Sequence, residues 1–478
     1  MCGIVGAVAE RNVVPILMEG LRRLEYRGYD SAGIAIHGDA GITRVRRVGK
    51  VQELQSALDE SPVEGGTGIS HTRWATHGVP NETNAHPHLS GDEIAIVHNG
   101  IIENHEELRA DLAKKGYAFT SDTDTEVIAH RIHFNLQAAG DFIGAVRMTV
   151  AELEGAYALA VMSTNHPEQL VIARQGAPAV VGIGIGENFV ASDVAALLPV
   201  TRNFMFLDEG DVALVERHQV TVWDEKGSVV ERPLRESELD ADAAERGEFR
   251  HYMLKEIYEQ AAAVAQTLDG RIADGRVLDA SFGPLAIDAL DRTRGVHIVA
   301  CGTSYHAGLV ARYWIENLCR LPCTVEIASE YRYRSPVVPA DTLFVTISQS
   351  GETADTLAAL RAAKDAGYIS TLTICNVPES SMVRESDLTM MTRAGPEIGV
   401  ASTKAFTTQL AALALLTVSL ARRNGLEERQ ERALVAQLVE LPKLINDVLS
   451  LDASIEALAK HFADKHHALF LGCGVQNP

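Results

Sequence analysis

The sequence is sparse in cysteine, its basic residues are outnumbered by acidic ones, and it has no apolar run long enough for a membrane span. Its six cysteines are scattered without C-x-x-C spacing, which argues against a disulfide framework or a zinc site and favours a reducing cytoplasm. The net charge of −21 would repel both nucleic acid and an anionic membrane surface. The most apolar run, at 411–421, predicts a buried helix. We therefore expect neither nucleic acid nor a membrane as a partner.

The start of the chain also lacks a basic segment followed by an apolar one, so we expect no secretory signal and a cytoplasmic protein. A length of 478 residues and a hydrophobic content of 46% instead predict globular domains with sizeable cores. Because the overall charge repels anions, any anionic ligand must be held by local groups.

The sequence changes character along its length, and this predicts the domain organisation. Residues 1–235 alternate short strand patterns with helical ones, which predicts a mixed α/β domain. Residues 236–290 begin with an apolar-poor charged linker and continue as a helical lead-in. Residues 291–430 repeat a buried strand, a polar loop and a helix, which predicts parallel βαβ units with ligands at the carboxyl ends of the strands.

The last part of the chain, 431–478, partly repeats an earlier pattern. Residues 467–476 (HALFLGCGVQ) resemble 296–304 (VHIVACGTS), and both copies are typical of a buried strand that runs into a C-G turn. A parallel strand needs a crossover, usually a helix, to reach its neighbour. Because no such crossover follows the second copy, we expect 431–478 to be the incomplete beginning of a second unit.

Cys2, directly behind the initiator methionine, is a candidate nucleophile. If Met1 is removed, Cys2 carries a free α-amine with a pKa of about 8 next to a thiol with a pKa of about 8.5. The nucleophile and its base then belong to one residue, as in N-terminal-nucleophile enzymes. Histidines concentrate between 71 and 98, but no H-E-x-x-H or comparable spacing occurs, so no metal site is predicted.

Several motifs follow Cys2 in a fixed order and identify a resemblance. They are MCGIVG (1–6), LEYRGYDSAG (24–33), TRWATHG (72–78), NAHPH (84–88), HNGIIENH (98–105) and TDTEVIAH (123–130). Together they resemble the glutaminase domain of the glutamine:fructose-6-phosphate aminotransferase (isomerising) family. The resemblance implies that 1–235 is a glutamine amidotransferase domain of the N-terminal-nucleophile type, with an αββα sandwich fold.

The resemblance also implies a role for each matching residue. Cys2 would attack the side-chain amide of glutamine and form a thioester, while Asn99 and Gly100 would donate hydrogen bonds to the oxyanion. Arg73 would bind the α-carboxylate of glutamine and Asp124 its α-ammonium group. Thr76 and His77 would line the pocket. Trp74 would gate the route of ammonia.

Loops in the second half match the sugar isomerase (SIS) part of the same family. CGTS (301–304) and SQSGET (348–353) each follow an apolar strand and precede a helix, whose N-terminal N–H groups suit phosphate. The resemblance implies that 291–430 is a doubly wound SIS subdomain and 431–478 the start of a second. The sugar phosphate would contact Thr303, Ser304, Ser348, Gln349, Ser350, Thr353, Val400 and Ser402.

The implied reaction moves the amide nitrogen of glutamine to fructose 6-phosphate and yields glucosamine 6-phosphate, without a metal or redox cofactor. The resemblance also implies a homodimer formed through the SIS half. Because the family's enolising and Schiff-base groups lie in a segment without a counterpart here, we expect intact glutamine hydrolysis and impaired isomerisation. The alternatives are a sugar-phosphate-binding regulatory module with an inert Cys2, and an amidotransferase with another acceptor.

Overall fold

A computed structural model describes residues 2–25, 28, 30–74, 78–237, 249–467, 469, 471, 472 and 474. The chain forms two compact units, Met1–Asp242 and Ala243–Pro478. Most of the predicted linker at 236–248 lies outside the described residues.

The first unit contains two antiparallel sheets and the helices that cover them. Its strands are β1 (Gly3–Val8), β2 (Ser31–Gly38), β3 (Gly41–Val48), β4 (Thr67–Arg73), β5 (His88–Ser90), β6 (Ile94–Ile102), β7 (Gly155–Ser163), β8 (His166–Gln175), β9 (Val180–Ile183), β10 (Asn188–Ala191), β11 (Asn203–Phe206), β12 (Val212–Glu216), β13 (Val220–Trp223), β14 (Val229–Val230) and β15 (Leu234–Glu236). Its helices are α1 (Val14–Leu24), α2 (Val51–Glu60), α3 (His105–Lys114), α4 (Asp124–Ala139) and α5 (Phe142–Val150). The strand orders are β15-β11-β9-β10-β1-β4-β2-β3 and β14-β13-β12-β8-β7-β6-β5.

The two sheets pack face to face between layers of helix, as an αββα sandwich. Successive side chains of a strand point to opposite faces, so both faces of β1 are buried. Val5 packs in the core under α1 and α2, whereas Ile4 packs in the core between the sheets. On the second sheet, Ile96 of β6 packs under α4 and α5, and Val97 faces the first sheet. The predicted sandwich is confirmed.

The second unit is built on a parallel sheet. Its elements are α6 (Tyr252–Leu268), β16 (Ile272–Ala273), β17 (Arg276–Val277), α7 (Ala286–Arg292), β18 (Gly295–Ala300), α8 (Gly302–Trp314), β19 (Cys323–Ile327), α9 (Ala328–Tyr331), β20 (Thr342–Ser348), α10 (Ala354–Lys364), β21 (Ser370–Cys375), α11 (Ser381–Glu385), β22 (Leu388–Met391), α12 (Lys404–Arg423), α13 (Glu428–Leu449) and α14 (Asp452–Ala459). The sheet has the order β19-β18-β20-β21-β22, and each neighbouring pair is parallel. Helices cover both faces, so the predicted doubly wound fold is confirmed.

Helix α12 contains the apolar run at 411–421. It is the one helix of the described residues that is long and apolar enough to cross a membrane, and most of it is buried in the core of the second unit. The predicted buried helix is therefore confirmed. Five of the ten residues of the predicted second strand at 467–476 lie outside the described residues, and the five described ones form no strand. Leu469 and Leu471 are 84% and 88% exposed, so the prediction of a buried strand is wrong for the described residues, which have no neighbouring strand to pair with.

Candidate functional site

Cys2 lies where β1 begins, beside the carboxyl end of β4. The antiparallel register places Gly3 opposite Thr72, so the chain that continues from β4 reaches Cys2 through Trp74. The Trp74 N–H donates to Cys2 Sγ at 3.2 Å, and the Cys2 thiol donates to the Trp74 carbonyl oxygen at 3.5 Å. The backbone of Trp74 therefore holds the thiol in place.

The environment of Cys2 keeps its thiol protonated. Burial raises the pKa of the Cys2 thiol, and the hydrogen bond from the Trp74 N–H opposes this only in part. Within the described part of the chain, no histidine nitrogen forms a hydrogen bond with Cys2 Sγ. A nucleophilic role for this thiol therefore requires a base from elsewhere.

Asn99 approaches Cys2 from β6, on the facing sheet, and Gly100 follows it in the strand. Asn99 is 8% exposed, and its Nδ2 atom donates to the backbone oxygen of Cys2 at 3.2 Å. An amide nitrogen carries two hydrogens, so a second N–H of Asn99 is available to another acceptor. Side-chain N–H groups thus lie next to the candidate nucleophile.

Gly100 occupies a position that excludes any side chain. Its φ is 129°, and an added Cβ would lie 1.9 Å from the backbone oxygen of Ala156 on the neighbouring strand β7. Both the backbone conformation and the close approach of β7 therefore require glycine.

Replacing Gly100 with alanine is expected to lower the free energy of unfolding of the first unit by about 3 kcal/mol or more, because strain and overlap add. Glutamate release should fall with it, since β6 must shift. Gly91→Ala is the matched control: Gly91 also has a positive φ, of 55°, but has open space around it, so about 1 kcal/mol is expected. Urea unfolding measures the free energy of unfolding of both variants. Equal losses would contradict the overlap with the backbone oxygen of Ala156 as the cause.

Arg73 and Asp124 are buried charged groups of the same unit, and each is 4% exposed. The Arg73 guanidinium lies 4.0 Å from the Asp30 carboxylate and donates to the backbone oxygen of Gly78 at 3.3 Å. Asp124 is the first residue of α4, and its carboxylate accepts the Ile102 N–H at 3.0 Å, two residues after Gly100 in β6. Asp124 is therefore held at the end of the strand that carries the candidate oxyanion donors.

The loop before Asp124 is fixed by residues that the sequence reading missed. The Glu126 carboxylate accepts hydrogen bonds from the backbone N–H and hydroxyl groups of Thr120 and Ser121, and these outweigh burial and lower its pKa. Arg109 donates to the backbone oxygens of Ser121 and Thr123 at 3.1 and 2.9 Å. The Thr-x-x-Glu spacing at 123–126 is a helix-start signal that could have identified Glu126, whereas no sequence signal identifies Arg109.

Of the remaining predicted residues of this site, the structure describes Trp74 but not Thr76 or His77. The Trp74 side chain is 46% exposed although its backbone contacts Cys2. Thr76 and His77 lie outside the described residues. The structure thus brings Cys2, Trp74 and Asn99 into contact.

In the second unit, the predicted phosphate loops lie at one edge of the sheet. In the order β19-β18-β20-β21-β22, the chain moves to one side of β18 to form β19 and then to the other side to form β20. Ligands of such sheets bind at this switch point, between β18 and β20. Ala300 pairs with Ile347, so the CGTS and SQSGET segments leave neighbouring strands side by side. Thr303 is exposed and Ser304 is buried in the first turn of α8.

The SQSGET segment forms a tight turn into α10. The Ser348 hydroxyl accepts the Gly351 N–H at 3.0 Å and lies 3.1 Å from the Thr353 hydroxyl. The Ser350 hydroxyl accepts the Glu352 N–H at 3.2 Å, while Thr353 is the N-cap residue of α10. Hydroxyls and the positive end of a helix therefore meet here. Gln349 is half-buried beside them.

Val400 and Ser402 lie in the segment between β22 and α12, which two carboxylates hold. The Glu256 carboxylate, from α6, accepts the N–H groups of Ile398 and Gly399. The Glu397 carboxylate accepts the N–H groups of Thr403 and Ala405 at 2.9 and 3.0 Å. Val400 is 74% exposed, and Ser402 is half-buried. The sequence reading missed both carboxylates: Glu256 is far from the loop along the chain, whereas Glu397 lies beside it but carries no signal of these hydrogen bonds.

Comparison with known proteins matches both units. A family model described as "Glutamine amidotransferase domain" matches residues 71–199, and one described as "SIS domain" matches residues 290–419. A glutamine–fructose-6-phosphate aminotransferase (isomerizing) of Shewanella oneidensis is 59% identical over 478 residues, which are 100% of this chain and 78% of that protein. The enzyme with the same description from Pseudomonas putida is 58% identical over 480 residues, 100% of this chain and 79% of that protein.

A solved structure also resembles part of the chain. The C-terminal domain of the glucosamine-fructose-6-phosphate aminotransferase of Francisella tularensis has 51% sequence identity and a TM-score of 0.48. The match covers 48% of this chain and 65% of that one.

Proposed function

Since the chain belongs to the glutamine–fructose-6-phosphate aminotransferase (isomerizing) family, whose substrates are glutamine and fructose 6-phosphate, we propose that Cys2 is its glutaminase nucleophile. The observation that carries this proposal is the Asn99 amide nitrogen 3.2 Å from the Cys2 backbone oxygen, which places an N–H donor next to the thiol. Removal of Met1 would expose the α-amine of Cys2, the base that this protonated thiol requires.

The proposed step begins with transfer of the Cys2 thiol proton to the α-amine. The sulfur then attacks the side-chain carbonyl carbon of glutamine, and the oxyanion accepts hydrogen bonds from Asn99 and Gly100. The α-ammonium returns the proton to the leaving nitrogen, so ammonia departs and a thioester remains. Water hydrolyses the thioester to glutamate and regenerates the thiol.

Arg73 and Asp124 are proposed to select the substrate. A guanidinium suits the α-carboxylate of glutamine, and a carboxylate suits its α-ammonium group. Both charges are almost fully buried, where electrostatic interactions are screened least. Thr76 and His77 are proposed to line the pocket, and Trp74 to close it toward the ammonia route.

The decisive experiment combines mass spectrometry of the N-terminus with a reaction on glutamine and fructose 6-phosphate. We expect a mass without Met1 and steady release of glutamate. Glucosamine 6-phosphate, followed in the same reaction, measures transfer of ammonia to the sugar. Full glutamate release by a chain that retains Met1 would overturn the role of the α-amine.

The loops at the switch point of the second unit are proposed to bind the phosphate of fructose 6-phosphate, through Thr303, Ser304, Ser348, Gln349, Ser350 and Thr353. Val400 and Ser402 would contact the sugar. A helix N-terminus with hydroxyl groups binds an anion without a basic surface, which suits a chain with a net charge of −21.

Ser350→Asp places a carboxylate at this helix N-terminus and is expected to weaken fructose 6-phosphate binding by about tenfold or more, because two anions then compete for the same N–H groups. Ser350→Ala is the matched variant and should weaken it less, since no charge is added. Calorimetric titration with fructose 6-phosphate measures both, and equal affinities of the Asp variant and the unmodified chain would contradict the assignment.

The organisation of the whole protein is proposed as follows. Residues 1–235 form the glutamine amidotransferase domain, 236–290 the linker and helical lead-in, 291–430 the first SIS subdomain, and 431–478 the beginning of a second. We propose a cytoplasmic homodimer that associates through the SIS half and binds no nucleic acid.

A further inference from the structure

We propose that His71 is a positioning residue that holds the Asn99 side-chain amide with its nitrogen turned toward Cys2. This inference rests on the proposed function, in which Asn99 donates to the oxyanion. His71 lies on β4 and is 1% exposed, so it reaches Asn99 from behind the site, on the opposite side of the amide from Cys2.

The contacts of His71 determine which of its ring nitrogens carries hydrogen. Nε2 lies 3.1 Å from the backbone oxygen of His98 and 3.0 Å from Asn99 Oδ1. A backbone carbonyl oxygen can only accept, so Nε2 must be the donor. The end of the Asn99 amide that faces His71 is therefore its oxygen, and the nitrogen faces the other way.

The other end of the same amide leads to the same orientation independently. Asn99 Nδ2 lies 3.2 Å from the Cys2 backbone oxygen, which again can only accept. A reversed amide would place an oxygen against the carbonyl of Cys2 and a nitrogen against the N–H of His71. It would also present lone pairs to a developing oxyanion.

The His71 ring is held in one protonation state and one plane. Burial lowers its pKa to about 3, so the ring is neutral and has a single N–H. Among the residues that the structure describes, Nδ1 has no hydrogen-bond partner, as expected for the nitrogen without hydrogen. The His86 ring stacks on it with 4.2 Å between ring centroids, and His86 Nε2 lies 3.2 Å from the Thr125 hydroxyl.

The consequence for the reaction is specific to the transition state. Glutamine binding is assigned to Arg73 and Asp124, which His71 does not hold. The amide orientation matters only when negative charge forms on the substrate oxygen. A change at His71 should therefore lower kcat and leave KM nearly unchanged.

The test compares His71→Gln with His71→Asn and His71→Phe in the full chain. The amide nitrogen of Gln can occupy the place of Nε2 and donate to Asn99, whereas that of Asn reaches only the place of Nδ1, and Phe has no donor. For Asn and Phe we expect kcat for glutamate release to fall by about tenfold to a hundredfold, with KM changed by less than about threefold. Gln should restore kcat to within about fivefold.

A double-mutant cycle separates this inference from the proposed function. Asn99→Ala should itself lower kcat by about a hundredfold, and adding His71→Phe to it should cost less than about twofold more. An unchanged kcat in Asn99→Ala would overturn the oxyanion role of Asn99 in the proposed function.

The inference about His71 can fail even when Asn99→Ala is impaired and the proposed function therefore stands. It is overturned if His71→Phe lowers kcat equally with and without Asn99, or if Gln and Asn behave alike. Thermal unfolding identifies a variant that does not fold, and if Phe is lost in this way, the Gln and Asn pair decides.

Discussion

Replacing Cys2 with alanine is expected to lower kcat for glutamate release by more than about 10⁴-fold, because no other group can take the place of a covalent nucleophile. The stability of the first unit should hardly change, since Cys2 precedes β1 and, among the described residues, its side chain forms hydrogen bonds with Trp74 alone. A coupled assay for glutamate, together with urea unfolding, measures both quantities. Substantial glutamate release by the alanine variant would assign the chemistry to another residue.

A second variant separates the thiol from the amine. Inserting one alanine between Met1 and Cys2 keeps the thiol but moves the free α-amine to another residue after Met1 is removed. If the α-amine is the base, this chain should be nearly as inactive as Cys2→Ala. Since burial raises the pKa of the Cys2 thiol, the inserted chain should not recover at neutral pH. Activity close to that of the unmodified chain would show that a different base serves Cys2.

The first unit is expected to lose stability steeply between pH 6.5 and pH 5. Burial lowers the pKa of His71 to about 3 and that of His86 and His88 well below the usual value. In the unfolded chain these histidines take up protons near pH 6.5, whereas in the folded protein they stay neutral. The contribution of these histidines to stability is therefore constant above this range and falls as the pH falls, until the folded pKa is reached.

The expected slope is large because the histidines act together. Each excluded proton contributes about 1.4 kcal/mol per pH unit, so His71, His86 and His88 together give about 4 kcal/mol per pH unit. The hydrogen-bonded Glu126 carboxylate has a lowered pKa, and its contribution is lost only below about pH 4.5. The window above pH 5 thus isolates the histidines.

Urea unfolding at a series of pH values measures the slope. Trp314→Phe leaves Trp74 and Trp223 of the first unit as the fluorescent reporters. His88→Gln keeps a donor or acceptor near the Thr123 hydroxyl, 3.1 Å from His88 Nε2, but cannot titrate, and should reduce the slope by about 1.4 kcal/mol per pH unit. His218→Gln, at an exposed position, is the control and should leave it unchanged. A free energy of unfolding that does not change with pH between 6.5 and 5 would contradict the assignment of His71, His86 and His88 as neutral in the folded protein.

The sequence alone predicted the fold class of both units and the family. Short strand patterns interspersed with helical ones predicted the mixed α/β first unit, and the repeated strand, loop and helix predicted the parallel sheet. These patterns are local, and local spacing determines which face of an element is apolar. The ordered motifs around Cys2, Arg73, Asn99 and Asp124 carried the family, which the comparisons confirm. The roles of the individual residues remain predictions.

Tertiary structure alone decided how those residues are held. Asn99 meets Cys2 because β6 and β1 lie on facing sheets, and 97 residues separate them along the chain. Arg109 and Glu126 fix the loop before Asp124, Glu256 holds the loop that carries Val400, and His71 orients Asn99 through a single ring nitrogen. Each of these contacts joins a side chain to a backbone or amide group brought near by strand pairing or helix packing. Sequence determined which groups this protein possesses, whereas the packing of sheets and helices determined their partners, because non-local contacts depend on register and layer order rather than on spacing.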